Sequence, residues 1–162
     1  NIFILNRNEI NNLIDSNHLI EKYEVTKEYP STITIKIQKT NFLAKINIKG
    51  KNFLIGSNGK MIHDNNKHSD LPYIFGQPSA EEFLKFKKIL DSSNFSYLEI
   101  ENLYFFPSKR WDMKLKNNIL IKLPKNLSKE NLNNIYKFLK DYNLENRSIV
   151  DTRINNKIIL NE

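Results

Sequence analysis

Gly56-Ser57-Asn58-Gly59-Lys60 sets two glycines ahead of a lysine, the ingredients of a loop that cradles phosphate. The spacing is two residues too short for such a loop. Met61 also stands where a Ser or Thr hydroxyl would meet magnesium, so the segment reads as a hairpin turn. His63, Asp64, His68 and Asp70 are possible metal ligands, but they share one polar loop over 63–70 that no rigid element fixes, and a solvated loop is expected. Nucleophilic catalysis lacks its parts. The chain has no Cys and no Gly-x-Ser-x-Gly elbow, and of three His residues His18 lies beside an apolar stretch. Asp112 and Asp151 could be imagined as a general acid and base. Each has an arginine two residues away (Arg110 and Arg153) in strand context, where ion pairing is the commoner role. The expectation is a protein without catalytic residues, metal or cofactor.

The aromatic residues pose a second question. Tyr104, Phe105, Phe106 and Trp111 cluster with Lys109 and Arg110 between them, as in a surface on which bases stack. Phe and Trp in a strand-rich segment more often build core, covered by the stems of long basic side chains, and core is the favoured reading. The charge balance agrees with it. Lys and Arg number 25 against 18 Asp and Glu, a formal +7, spread as +3 over residues 1–70 (10 basic, 7 acidic) and +4 over 71–162 (15 and 11). A nucleic-acid footprint concentrates such charge in one stripe. The excess of Asn (25), Ile (22) and Lys (21) over Arg (4) matches AT-rich codons and so reflects the genome as much as a partner.

These side chains must be positioned by secondary structure. Asn6 and Glu9 have capping-box spacing ahead of Ile10, Leu13 and Ile14, predicting a helix over 6–17. Residues 19–27 read as a strand. After Tyr29-Pro30-Ser31, Ile33, Ile35 and Ile37 alternate with polar residues as a half-buried strand does. Short strands follow at 42–48 and 53–56. Ser79 and Glu82 form a second capping box, opening a helix to Leu90 that turns Phe83, Phe86 and Leu90 inward. Strands are expected at 95–101, 103–107, 110–116 and 119–123. Ser128 caps a helix to Tyr142 with Leu132, Ile135, Leu139 and Tyr142 on one face, and strands at 147–154 and 157–161 close the chain around a turn at Asn155-Asn156.

With 162 residues, 40% hydrophobic, the chain can bury a genuine core, and no apolar run approaches the ~18 residues of a membrane span. Helices placed between hairpins favour an α+β fold with mostly antiparallel pairing. The final ribbon, Ile149 to Leu160, should leave its last strand with a free side. Lys157 could guard that edge, or the edge could serve as a rail for an added strand.

In this setting the chain resembles the extracytoplasmic part of the FtsQ/DivIB cell-division family along its whole length. Val25-Thr26-Lys27-Glu28-Tyr29-Pro30 and Ile33 to Lys39 look like the second half of a POTRA domain, and Phe42-Leu43-Ala44 occupies the usual junction. Leu71-Pro72 with Gly76, Lys109-Arg110-Trp111-Asp112-Met113-Lys114-Leu115, Ile121-Lys122-Leu123-Pro124 and Val150-Asp151-Thr152-Arg153 follow in family order, the second and third looking like the alphaproteobacterial version. Thr152 and Ile154 depart from the more usual Leu and aromatic residue.

The resemblance implies residues 1–41 as the C-terminal part of a POTRA domain, lacking its first strand and helix, and 42–162 as the FtsQ-type β domain with flanking helices. It implies a non-enzymatic scaffold of the divisome. A single-pass helix absent from this chain would anchor it in the inner membrane, with this portion in the periplasm. FtsB and FtsL would be the main partners, FtsK, FtsW and FtsI further ones, and nucleic acid none. FtsB would add a strand at the C-terminal hairpin, lined by Arg153, Ile154, Asn155, Asn156, Lys157 and Ile158, while Lys109 or Arg110 meets an acidic residue on the incoming chain. Roughly five or six main-chain hydrogen bonds, at about 0.5–1.5 kcal/mol each, leave only a few kcal/mol after ordering costs, so side chains must supply specificity. An envelope assembly factor built on POTRA units is the nearest alternative, and a basic nucleic-acid-binding module a more distant one.

Overall fold

A computed structural model describes residues 11–14, 16–64, 70–142, 144, 149–154 and 157–161. Its framework follows the polar and apolar alternation of the chain. Residues 11–14 are helical, and β1 (Ile20–Glu28) and β2 (Thr32–Lys39) form an antiparallel ribbon around the Tyr29-Pro30 turn, whose peptide bond is cis. Of the rest of the predicted 6–17 helix, residues 6–10 and 15 lie outside the described residues, while 16 and 17 have already left the helix in a turn. The isoleucines of β2 are less covered than their alternation predicts, for Ile35 and Ile37 are exposed. Alternation puts them on one face but cannot supply a layer to cover it.

A nine-stranded sheet holds the remaining strands: β3 (Phe42–Ile48), β4 (Lys51–Gly56), β5 (Met61–His63), β6 (Tyr73–Phe75), β7 (Ile100–Phe105), β8 (Trp111–Leu115), β9 (Leu120–Lys122), β10 (Ile149–Asp151) and β11 (Ile159–Asn161). Their spatial order is β11-β10-β9-β8-β7-β6-β3-β4-β5. The fold is α+β as expected, and five of the eight pairings are antiparallel. The three parallel ones are β3–β6, β6–β7 and β9–β10. Parallel neighbours need a crossover, and the two capped helices supply it for two of these pairs: α1 (Ala80–Asp91) between β6 and β7, and α2 (Lys129–Asp141) between β9 and β10. The two strands expected at 95–101 and 103–107 are one strand, β7, entered through a 3-10 turn at Tyr97–Glu99. The apolar signal at Phe95 belongs to a core residue ahead of that turn rather than to a strand.

Both helix starts are as predicted. Ser79 accepts from the Glu82 N–H while Glu82 reaches back to the Ser79 N–H, and Ser128 does the same with Asn131. One row of side chains then organises the core. The strand register sets Phe53, Ile46, Ile74, Leu103, Met113, Ile121, Val150 and Leu160 side by side across eight strands. The helices add Phe83, Phe86, Leu90, Leu132 and Ile135 to the same core. Trp111 lies among them, stacked on Phe86 at 4.8 Å and tilted against Phe105 at 4.8 Å. The aromatic cluster is therefore core at Trp111, as the sequence suggests. Tyr97 ties the 3-10 turn to β3 by donating to the Leu43 carbonyl at 2.7 Å, and burial pushes its phenol pKa up.

The bend that feeds α1 depends on Gly76. Its φ of +97° is left-handed, and a Cβ there would stand 2.3 Å from the Phe105 carbonyl oxygen. Gly76→Ala should therefore cost about 2–3 kcal/mol, measured by urea unfolding followed through Trp111 fluorescence. A second prediction concerns β1 and β2, whose exposed isoleucines leave a smaller buried area than the large sheet has. Amides of residues 20–39 should exchange faster than those of β7, β8 and β9, a difference that hydrogen-exchange mass spectrometry would resolve.

Candidate interaction edge

Among the described residues the sheet ends at β11 on one side and β5 on the other. Strand β11 pairs only with β10, through Ile149–Asn161, Val150–Leu160 and Asp151–Ile159. Beside it lies a run of exposed apolar side chains: Ile154, 55% exposed, with Ile158, Ile159 and Leu160. Leu160 is the last member of the core row, so the row ends half in water. A shallow groove lined by Pro124, Asn131, Ile135, Thr152, Ile154 and Ile158 runs between α2 and this terminal segment. The rail is shorter than the sequence implies. Three residues of β11 offer two or three main-chain hydrogen bonds rather than five or six, which moves the burden further onto side chains.

The predicted site residues fall into two groups. Arg153, Ile154, Lys157 and Ile158 lie together at the terminal segment, joined by a turn in which the Lys157 N–H donates to the Ile154 carbonyl at 3.2 Å. Asn155 and Asn156 lie outside the described residues. Lys109 and Arg110 sit in the β7–β8 turn, where Lys109 has a left-handed φ of 63°. Their side chains diverge, set by the turn rather than by the strand alternation expected from the sequence. Lys109, 75% exposed, approaches Glu82 of α1 at 3.3 Å, whereas Arg110 lies over the Phe106 ring and donates to both Asp112 oxygens at 3.2 Å.

The two aspartates considered for acid–base chemistry are occupied otherwise. Asp112 also accepts from the Leu123 N–H at 3.1 Å, and so joins β8 to the end of β9. Asp151 accepts from the Arg153 main-chain N–H at 3.1 Å and from its Nε at 2.9 and 3.0 Å. Sequence reasoning missed Lys122. The register places it between the two, opposite Asp112 on one side and Asp151 on the other. Its carbonyl also accepts both the N–H and the hydroxyl of the buried Thr152 at 2.9 Å. Acidic–basic–acidic alternation over three strands needs the strand order to be seen, and 29 residues separate Lys122 from Asp151 in the chain. The hydrogen bonds from Arg153, with the nearby charges of Arg153 and Lys122, hold the Asp151 carboxyl below the usual carboxylate range. The arrangement uses both carboxylates to fix side chains and strand ends.

Asp151 makes acid stability testable. Because its folded pKa is depressed, its contribution is complete above the unfolded value of about 3.9 and disappears as pH falls through the lower folded value. Asp151→Asn should lose about 1–3 kcal/mol at pH 7 and show a smaller loss of stability on acidification than the parent chain, measured by urea unfolding from pH 7 to pH 2.

Comparison with known proteins fits this arrangement. The family model for the C-terminal domain of cell division protein FtsQ/DivIB matches residues 44–153, and that for the FtsQ-type POTRA domain matches residues 1–39. The cell division protein FtsQ of Rickettsia typhi is 29% identical over 163 residues, covering 96% of this chain. FtsQ of Rickettsia prowazekii is 30% identical over 126 residues, 76% of this chain and 46% of that protein. DivIB of Staphylococcus aureus is 27% identical over 112 residues, 68% of this chain and 25% of its own length. The chain spans about 60% of the length of the Rickettsia typhi relative. With both family models matching in order and the first spanning most of the chain, this protein belongs to the FtsQ/DivIB family of cell division proteins.

Proposed function

We propose that this chain is the periplasmic portion of a non-enzymatic divisome scaffold and works by accepting a strand from FtsB at β11. The observation that carries this reading is the end of the sheet, where among the described residues β11 has only β10 as neighbour and Ile154, Ile158, Ile159 and Leu160 stand exposed beside it. An incoming strand would extend the sheet by main-chain pairing and the core row by one side chain beyond Leu160. Arg153, Ile154, Asn155, Asn156, Lys157 and Ile158 would line that contact. Of the β7–β8 pair, Lys109 is the better placed to reach an acidic partner, since its side chain is 75% exposed and could exchange its surface ion pair with Glu82, whereas Arg110 is held by Asp112 and Phe106. FtsL would accompany FtsB, and FtsK, FtsW and FtsI would be further contacts of the assembly. In this reading residues 1–41 form the C-terminal part of a POTRA domain and 42–162 the strand-accepting β domain, both carried outside the inner membrane by a single-pass helix.

Catalysis has no support in the reading, because Asp112 and Asp151 are each held in an ion pair with an arginine. Isothermal titration calorimetry with the periplasmic part of FtsB from the same organism tests the docking site. The double variant Arg153→Glu, Ile154→Glu should bind at least about tenfold more weakly, or 1.4 kcal/mol, with its unfolding midpoint little changed. Unchanged affinity would remove β11 and its flank as the docking edge.

A further inference from the structure

We propose that His18, held in place by Asn58 and Glu21, caps the β5 edge of the large sheet at the Met61 carbonyl, and that a second copy of this chain pairs with that edge when the cap is opened. The need for a cap follows from hydrogen-bond alternation. Gly56 donates its N–H to the Lys60 carbonyl and Asp64 its N–H to the Asn52 carbonyl, at 2.9 and 3.0 Å. The residues between, Met61 opposite Ile55 and His63 opposite Phe53, therefore turn their main-chain groups away from β4. Such an edge is a template for another strand. Met61-Ile62-His63 has no Lys, Asp, Glu or Pro to discourage it, and two copies meeting antiparallel would bring no like charges together.

The cap comes from the segment that leads into β1. His18 Nδ1 donates to the Met61 carbonyl at 2.9 Å; a carbonyl only accepts, so the contact defines which ring nitrogen carries the proton. Asn58, in the β4–β5 turn, holds that segment in place. Its amide nitrogen donates to the carbonyls of His18 and Ile20 at 3.0 and 3.1 Å, while its oxygen accepts from the Lys60 N–H at 3.0 Å. Glu21 completes the contact from β1, one carboxylate oxygen accepting from the Ser57 hydroxyl at 2.7 Å and the Thr40 hydroxyl at 3.1 Å. Ser57 and Asn41 are joined main chain to main chain at 2.8 Å, and Thr40 donates its N–H to the Leu19 carbonyl at 2.9 Å. Space at the centre depends on Gly56, where a Cβ would stand 2.7 Å from Asn58 Oδ1 and 2.8 Å from Thr40 Oγ1.

The consequence is a sheet blocked at one end by a contact to the Met61 carbonyl and open at the other, independent of what binds at β11. Asn58→Asp tests it, since the change removes both donors and sets a carboxylate against two carbonyls. Hydrogen exchange of the 162-residue chain should accelerate about tenfold at residues 18–24 and stay unchanged in β7 to β9. Sedimentation velocity should then show a dimer that grows with protein concentration, absent from the parent chain. Parent-like exchange at 18–24 would overturn the cap. Faster exchange with a monomer at every concentration up to about 100 μM would overturn its role in closing the edge. The emission of Trp111, the sole tryptophan, reports whether the core is intact. If Asn58→Asp disturbs it, His18→Ala, which removes only the contact to Met61, is judged by the same two measurements. Affinity for FtsB is a separate readout and bears only on β11.

Discussion

The apolar row that crosses the large sheet from Phe53 to Leu160 is the constraint on which the other features of this protein depend. From Phe53 to Val150 its members belong to or pack against the core that the two helices complete, and each is opposite the next in register, so moving any one strand by a single residue would turn its row member to the other face. The row also explains why the ends of the sheet differ from its middle. Inside, every row member has neighbours on both sides; at β11, Leu160 has one only. Apolar surface left in water at the end of an otherwise continuous core favours a partner that continues it.

Polar contacts give this core its boundaries. The ion pairs of Asp112 with Arg110 and of Asp151 with Arg153, with Lys122 between the two acids in the register, occupy the face opposite the helices over β8, β9 and β10. Charges so engaged contribute by holding the ends of strands. Asp112 joins β8 to the exit of β9, and Thr152 returns the chain to Lys122 after β10. At the opposite edge neutral and acidic hydrogen-bonding groups do comparable work, with Asn58 and Glu21 joining the N-terminal ribbon to the β4–β5 turn. The two ends of the sheet are thus built differently, one tied to the N-terminal ribbon by hydrogen bonds and the other lined by exposed apolar side chains.

Much of this was legible from residues alone, because its causes are local. Ser79 with Glu82 and Ser128 ahead of α2 announce helix starts through their own side chains, and the turn at 57–60 is written in Asn58-Gly59. The ion-pairing of Asp112 and Asp151 could be inferred because each arginine is two residues away. The family resemblance also rests on linear order, which a sequence contains in full. Less legible was anything set by neighbours remote in the chain. The exposure of Ile35 and Ile37, the merging of two expected strands into β7, and the position of Lys122 all depend on which elements come to lie side by side.

Linear order therefore determined the α+β class, the capped helices, the strand periods and the family of this protein, since short-range sterics, side-chain capping and alternation act within a few residues. Only the tertiary structure decided which strand would be last. Being an edge is a property of the assembled sheet, and β5 and β11, similar in length, differ because His18, held by Asn58, reaches β5. Gly76 shows the division in a single residue. Its place in the motif is visible in the chain, but the reason no side chain fits there is the Phe105 carbonyl, 29 residues away, which folding brings against it.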